Sequence, residues 1–298
     1  MERKNNEFIK AHYRSKPKNV IIIQHNGFNF HKGDNQDYIK FIDKLQGIDI
    51  NTKEAFDHIT KHLDINSYID FWVHEFYSNR IDNWNNRLWN SEQDSRWKWI
   101  SYDYDNSFTN SSRLFLESKL NIDFDGLIYS IDHFLKNDLF KVQFFKRLMD
   151  YLNFGYTSEN VLKSLEKQID LTEKELMKDH KRWNDTKLRH TFKSENRKRS
   201  FMEYVDKRRS FFIEVFANQH EFKKPIEIIS PSKDLAKILI NGYELESKAI
   251  YFKGMDITIE VIANTPGQSF KILGVDKKEA EANTYTINGS SNVSFEFN

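Results

Sequence analysis

The sequence predicts an α+β protein with a mainly helical body, a short sheet and a small all-β sandwich at its C-terminal end. Three observations indicate this class. Apolar residues recur at helical spacing over much of residues 36–217. Short β-branched and aromatic runs interrupt that pattern before residue 110. After Pro225, brief apolar runs alternate with Asn-Gly, Lys-Gly and Pro-Gly turns, as in a β-sandwich. We therefore expect two domains, residues 1–222 and 223–298.

The first predicted elements are a strand and a short helix. The apolar run Val20–Ile23 leads into turn-forming residues, as a buried strand does. Residues 38–45 have the apolar spacing of a helix, and Gly47 is well suited to end it.

A second helix and a strand follow. Between residues 65 and 77 the apolar positions have i, i+3, i+4, i+7 spacing, which predicts one buried helix face. Either Asp64 or Asn66 is suited to cap this helix. A polar, turn-prone segment, residues 79–86, comes next, and a strand is predicted from Arg96 to Tyr104.

The remaining chain is predicted to be helical and then β-rich. Asn137 is suited to cap one helix, and further helices are predicted over Ser158–Trp183 and residues 195–217. Their aromatic stripes, including Val215 beside the phenylalanines, are expected to form core. Seven short β-rich runs between Ile226 and Phe297 predict the strands of the sandwich.

Composition excludes several classes of function. The chain has 45 Lys and Arg against 44 Asp and Glu, a net charge of +1, so no nucleic-acid partner is expected. Basic runs such as residues 207–209 are expected to be solvated helix faces. With no cysteine, disulfides and thiolate nucleophiles are excluded. We expect no signal peptide after Met1 and no membrane span, because the apolar runs are too short.

Four side chains after the second helix and near the predicted strand end point to chemistry: Asp82, Asn86, Asp103 and Asp105. Side chains alternate along a strand, so Asp103 and Asp105 would share a face if the strand extends that far. Phosphoryl transfer needs a carboxylate to orient a hydroxyl, and carboxylate or amide oxygens to hold Mg²⁺. Asp82 suits the first role and the other three suit the second. The same residues are equally typical of helix caps and a turn, and their types alone leave both interpretations open.

The sequence of this segment resembles that of the CotH (spore-coat-H) kinase family of bacteria. The resemblance is carried by an N-x-x-D turn at residues 79–82, an Asn pair at residues 85–86, and a W-x-W-I-x-x-D-x-D-x-x-F sequence at residues 97–108. Residues 20–38 and a helical block ending near residues 204–208 are also similar to the longer members. The similarity extends over about residues 1–220.

The resemblance implies an atypical protein kinase, here its kinase-like C-terminal lobe, using ATP and Mg²⁺ to phosphorylate Ser or Thr of a protein substrate. Asp82 matches the catalytic Asp, the candidate base. Asp103 and Asp105 match the metal-binding D-x-D, and Asn86 is a further candidate ligand for the metal or the nucleotide. Which of the two aspartates binds the metal stays open, with Asp105 favoured.

One part of the family pattern has no counterpart here. Full members have an upstream lobe that clasps ATP, whereas residues 1–19 contain no Gly-rich phosphate loop. Three interpretations fit: an N-terminally truncated member, a partner of a separately encoded lobe, or an inactive relative.

A non-catalytic function is the alternative. The β-domain would then contact glycans or proteins of a spore coat or cell envelope. The aromatic stretch Trp84–Trp99 is either a sugar-binding platform or core, with core packing favoured. His58 and His62, four apart on a helix, are either a metal-binding pair or an exposed face.

Overall fold

The computed structural model describes most of the 298-residue chain. The described residues are 6–13, 19–24, 30–32, 36–80, 87–101, 104, 107–108, 110–112, 131–183, 195–265, 267–281 and 284–297.

Helices and strands alternate early in the chain, and strands dominate its end. The helices are α1 Asn6–His12, α2 Gln36–Gln46, α3 Lys53–His62, α4 Ile65–Ser78, α5 Ile131–Phe134, α6 Asp138–Asp150, α7 Ser158–Trp183 and α8 Glu195–Ser210, with π-helical turns at Tyr151–Gly155 and Phe211–Phe216 and a last helical turn at Ala217–Gln219. The strands are β1 Ile21–Gln24, β2 Phe30–Lys32, β3 Arg87–Ser91, β4 Asp94–Ile100, β5 Pro225–Ile229, β6 Ala236–Ile240, β7 Tyr243–Glu244, β8 Lys248–Phe252, β9 Asp256–Ala263, β10 Phe270–Glu281 and β11 Thr284–Phe297.

Residue contacts divide the chain into two compact units, Met1–Arg147 and Leu148–Asn298. The α+β class predicted from the sequence is confirmed. The predicted domain boundary at residue 223 stays a prediction.

The first unit contains a four-stranded antiparallel sheet in the order β2-β1-β3-β4. Strand β4 is its outer strand on one side, and the α3–α4 junction covers that edge. There the Asp64 amide donates to the Trp97 carbonyl over 2.9 Å, and the Trp99 amide donates to the Ser67 hydroxyl over 3.0 Å. Two hydrogen-bonding groups of this edge, the Trp97 carbonyl and the Trp99 amide, are therefore satisfied by Asp64 and Ser67 rather than by another strand.

Aromatic side chains fill the core of the first unit. Tyr68 of α4 lies with its ring 4.7 Å from Trp99, 5.2 Å from Phe134 and 5.9 Å from Phe140, measured between ring centroids. All four rings are buried. These contacts hold α4 against both the sheet and the later helices, because large aromatic rings bury extensive apolar surface.

The second unit contains a seven-stranded sheet. Its strands are ordered β7-β6-β9-β11-β5-β8, and β10 pairs with β11. Buried and exposed residues alternate along β6 and β9, so one face of these strands is apolar. Tyr251 of β8 donates a 2.5 Å hydrogen bond to Asp150, and Asn153 exchanges two hydrogen bonds with the Ile250 backbone. These bonds join the helical part of this unit to its sheet.

Three details differ from the sequence predictions. Strand β3 was not predicted, because only Leu88 and Trp89 stand out from a polar context. Strand β4 ends at Ile100 rather than Tyr104, and Asp103 and Asp105 lie outside the described residues. Val215, predicted to be core, is 44 % exposed.

Two of the predicted helices have the expected bounds. Helices α2 and α7 match their predicted ranges, and Asp64, rather than Asn66, caps α4 by accepting from the Ser67 amide over 3.1 Å. No helix in the described ranges is long and apolar enough to cross a membrane.

Candidate active site

Helix α4 leads directly into the predicted catalytic turn. It ends at Ser78, and the next residue, Asn79, has a left-handed backbone with a φ angle of 52°. Asparagine tolerates this conformation better than most residues, so it is a suitable helix-ending residue. The helix is therefore capped at residue 79, three residues before Asp82 in the sequence.

The β3–β4 hairpin brings two separate parts of the sequence to one end of the sheet. Arg87, at the start of β3, pairs with Ile100, at the end of β4. Arg87 immediately follows residues 81–86, and Ile100 stands three residues before Asp103. The segment that carries Asp82 and Asn86 and the segment that carries Asp103 and Asp105 are thus both attached to this end of the hairpin.

The four predicted site residues themselves, Asp82, Asn86, Asp103 and Asp105, lie outside the described residues. Within the described part of the chain, no group of three or more His, Asp or Glu side chains is placed to hold a metal ion.

A buried carboxylate, Glu75, bonds to one described residue of each part of the chain, Arg80 and Tyr104. Glu75, on the last full turn of α4, accepts from Arg80 Nε through Oε2 over 2.9 Å and from the Tyr104 hydroxyl through Oε1 over 2.8 Å. The Glu75 and Arg80 side chains are each 1 % exposed. The Arg80 guanidinium also lies 5.1 Å from the centroid of the Tyr104 ring. All three side chains therefore contact one another.

The surroundings of this cluster raise the pKa values of Glu75 and Tyr104. Burial raises the pKa of Glu75, and this effect is opposed by the charge of Arg80 and the hydrogen bond from Tyr104. Burial and the neighbouring Glu75 charge together hold the pKa of Tyr104 far above its usual value. Tyr104 therefore stays protonated and remains a hydrogen-bond donor throughout the physiological pH range.

A second set of hydrogen bonds joins the same two parts of the chain. The Phe108 amide donates to the Ser78 carbonyl over 2.6 Å, and Asn79 Nδ2 donates to the Asn110 carbonyl over 2.8 Å. Asn79 and Phe108 both have positive φ angles, 52° and 61°. The chain just before Asp82 and the chain just after Asp105 are thus held together by backbone as well as side-chain bonds.

A comparison with known protein families identifies the family of the chain. The family model described as CotH kinase protein matches residues 2–212 of the chain. The chain belongs to the CotH kinase family. The match includes both segments attached to the hairpin end, and it supports a kinase-like function at the level of the family. No curated protein matches the sequence.

The aromatic stretch of this CotH-family chain is core where it is described. Trp89, Trp97 and Trp99 are between 2 % and 5 % exposed. The sugar-platform interpretation is therefore wrong for these three side chains, and Trp84 lies outside the described residues.

The histidine pair is also structural. His58 is 8 % exposed, and its Nε2 lies 3.2 Å from the Phe41 carbonyl oxygen. His62 lies 2.9 Å through Nδ1 from the His58 carbonyl oxygen and stacks on Phe41. Since His58 packs inside the unit, the prediction of an exposed helix face is wrong for it.

Sequence reasoning missed the cluster of Glu75, Arg80 and Tyr104. The one available signal was Glu75 itself, an acid within the apolar run of residues 71–77. A charged residue on a buried helix face requires a partner. Its partners are five and 29 residues further along the chain, and no local pattern identifies them.

Proposed function

We propose that this CotH-family chain is a protein kinase that transfers the terminal phosphoryl group of ATP to Ser or Thr hydroxyls in the presence of Mg²⁺. The observation that supports this most directly is the β3–β4 hairpin, whose one end is attached to both predicted site segments. A shared attachment point is what a site assembled from Asp82, Asn86, Asp103 and Asp105 requires.

The donor types of the predicted residues fit the metal. Mg²⁺ prefers oxygen ligands, and Asp103, Asp105 and Asn86 offer carboxylate and amide oxygens. When bound, Mg²⁺ would neutralise charge on the phosphate oxygens. Asp82 would accept the proton of the acceptor hydroxyl, the role of a general base.

Ligand-induced stabilisation tests this proposal. A ligand at 100 times its Kd stabilises a folded protein by about 2.7 kcal/mol. For a chain of this size we expect Mg²⁺ with ATP to raise the Tm by roughly 4 °C. Asp105→Ala should abolish the shift, because it removes a metal ligand. Asp82→Asn should keep the shift but lower phosphoryl transfer by about 100-fold or more, since only the base is lost.

The matched control is Asp43→Ala, which removes an exposed carboxylate from α2 in the same unit. This variant should keep the whole Tm shift. If neither ATP nor Mg²⁺ changes the Tm of the unsubstituted protein, the proposal of an active kinase is wrong.

A second candidate is a non-catalytic protein that binds glycans or proteins of a coat or envelope. It is favoured by a polar cleft of about 800 Å³ within the second unit, lined by Asn160, Glu246, Lys248 and other residues. The ring of Tyr243, 38 % exposed, stacks on Phe154 at this cleft with centroids 5.2 Å apart. An exposed ring beside hydrogen-bonding side chains is a suitable surface for a sugar.

Glycan-array binding by the full chain tests this second candidate. Tyr243→Ala should reduce binding at least tenfold if the cleft is the site, because the stacking surface is lost. Ile229→Ala, which truncates another exposed apolar side chain of the same sheet, should leave binding unchanged. Binding that survives Tyr243→Ala would exclude the cleft as the site.

A further inference from the structure

The Glu75 cluster consists of three residues that the proposed kinase chemistry does not itself use. Glu75 lies on α4, Arg80 lies two residues before Asp82, and Tyr104 lies between Asp103 and Asp105. Each carboxylate oxygen of Glu75 accepts one hydrogen bond, one from each of the two partners. A single side chain thus contacts both parts of the sequence that carry the predicted site residues.

Stability alone does not account for this arrangement. Burying an ion pair costs desolvation energy that its attraction offsets only in part, and well-packed apolar side chains of similar volume often stabilise as much. The Glu75 and Arg80 side chains are almost fully buried, and burial raises the pKa of Glu75 despite the nearby guanidinium. What the ion pair adds over an apolar contact is direction, because its hydrogen bonds fix the positions of both partners.

We infer that Glu75 is a positioning residue that sets the spacing between the turn after α4 and the chain that follows β4. The inference rests on the proposed function for its catalytic meaning: Arg80 would place the candidate base Asp82, and Tyr104 would place the metal-binding pair Asp103 and Asp105. The bonds between residues 78–79 and residues 108–110 join the same two parts of the chain independently of Glu75.

The first test needs neither metal nor nucleotide. Tyr104→Phe removes one hydroxyl and leaves the Glu75–Arg80 pair in place. Hydrogen exchange should then become faster in the peptide of residues 101–110 and also in the peptide of residues 79–88, because the two are coupled through Glu75. Tyr38→Phe is the matched control, since Tyr38 is a buried tyrosine of α2 in the same unit. It should change neither peptide.

The second test uses activity. For Tyr104→Phe we expect the Mg²⁺ concentration for half-maximal phosphoryl transfer to rise about tenfold, an effect of the size seen when a group that positions metal ligands is lost. The KM of the protein acceptor should not change. Glu75→Gln, which loosens both partners, should raise the Mg²⁺ requirement and also lower kcat by about tenfold or more.

The outcomes separate this inference from the proposed function. Faster exchange confined to residues 101–110 in Tyr104→Phe, or an unchanged Mg²⁺ requirement in an active Tyr104→Phe enzyme, would overturn the positioning role. If the unsubstituted protein neither binds Mg²⁺-ATP nor transfers phosphate, the proposed function fails, and the exchange measurement still decides whether Glu75 couples the two segments.

Discussion

Asn137 is a single residue whose side chain connects distant parts of the first unit. It is 1 % exposed, and its Oδ1 accepts from the Phe140 amide over 3.1 Å at the start of α6. Its Nδ2 donates to the Ile50 carbonyl over 2.7 Å and to the Thr52 carbonyl over 2.9 Å. The capping bond was predicted from the sequence. The two donor bonds, to residues more than 80 positions earlier, were not, because no local pattern specifies them.

Replacing Asn137 by alanine should destabilise the protein by roughly 2–4 kcal/mol. Loss of the cap costs about 1 kcal/mol. The Ile50 carbonyl loses its donor, which adds roughly 1–3 kcal/mol because buried polar groups are costly to leave unpaired, whereas the Thr52 carbonyl still accepts from the Phe56 amide over 3.3 Å. Urea denaturation followed by circular dichroism measures the loss. Asp64→Ala removes a cap alone and should cost only about 1 kcal/mol, so equal losses in the two variants would contradict this account.

In the candidate site, too, some residues could be predicted from the local sequence and others only from the fold. Asp82 and Asp105 could be proposed from residue type and family resemblance. Glu75, Arg80 and Tyr104 could not be grouped from the sequence, because the fold brings them together through a helix end and a hairpin. Local chemistry is readable in a sequence, whereas the identity of a buried partner depends on the tertiary fold.

Strands β10 and β11 show how glycine shapes an element of the second unit. Asn288-Gly289 was predicted as a turn, but both residues lie within β11. A Cβ on Gly289 would lie 2.3 Å from Cδ1 of Ile226, so glycine serves close packing there. At Gly274 the φ angle is 80°, and the β10–β11 register shifts between Leu273 and Val275. This is the geometry of a β-bulge.

Gly274→Ala should destabilise the protein by about 3 kcal/mol or more. A left-handed backbone costs a residue with a Cβ roughly 1–2 kcal/mol. The new Cβ would also lie 2.1 Å from the Asn292 carbonyl oxygen, which belongs to the backbone of the paired strand and has little freedom to move. Thermal unfolding monitored by calorimetry measures the effect.

Gly242→Ala is the matched control for this substitution. Gly242 has a similar φ angle, 86°, but no atom lies within 4 Å of a Cβ placed there. Gly242→Ala should therefore lower the stability only by the cost of a left-handed backbone in alanine, about 1–2 kcal/mol. If both variants lose the same stability, the contact with Asn292 contributes nothing and the account of the bulge is wrong.

Across the whole molecule, the predictions that succeeded concern elements whose sequence signal lies within one continuous segment. Amphipathic spacing identified α2, α4 and α7 because a helix carries its signal within one continuous segment. Strand β3 escaped because its pattern is short and its partners lie elsewhere in the chain. The family was recognisable because its motif residues lie close together in sequence, at residues 79–108.

The basic run at residues 207–209 is an example of a charge pattern that does not mark a solvent-exposed surface. The sequence predicted a solvated helix face. Lys207 is exposed as predicted, but Arg208 is 0 % exposed, and its guanidinium lies within 5 Å of the ring centroids of Phe211 and Phe212. Arg209 donates to the Leu152 carbonyl and to Asn153 Oδ1. Two of three basic side chains therefore serve packing inside the second unit, and the solvated-face prediction is wrong for them.

The covered edge of β4 has a consequence for how this protein behaves beside copies of itself. An open sheet edge has unpaired backbone groups that can pair with a strand of another molecule. An open edge strand that contains two tryptophans would be especially prone to aggregation. Here the Asp64 amide donates to the Trp97 carbonyl and the Ser67 hydroxyl accepts from the Trp99 amide of that edge. Local unfolding around the start of α4 is therefore expected to expose the Trp97 carbonyl and the Trp99 amide, which could then pair with a strand of another molecule.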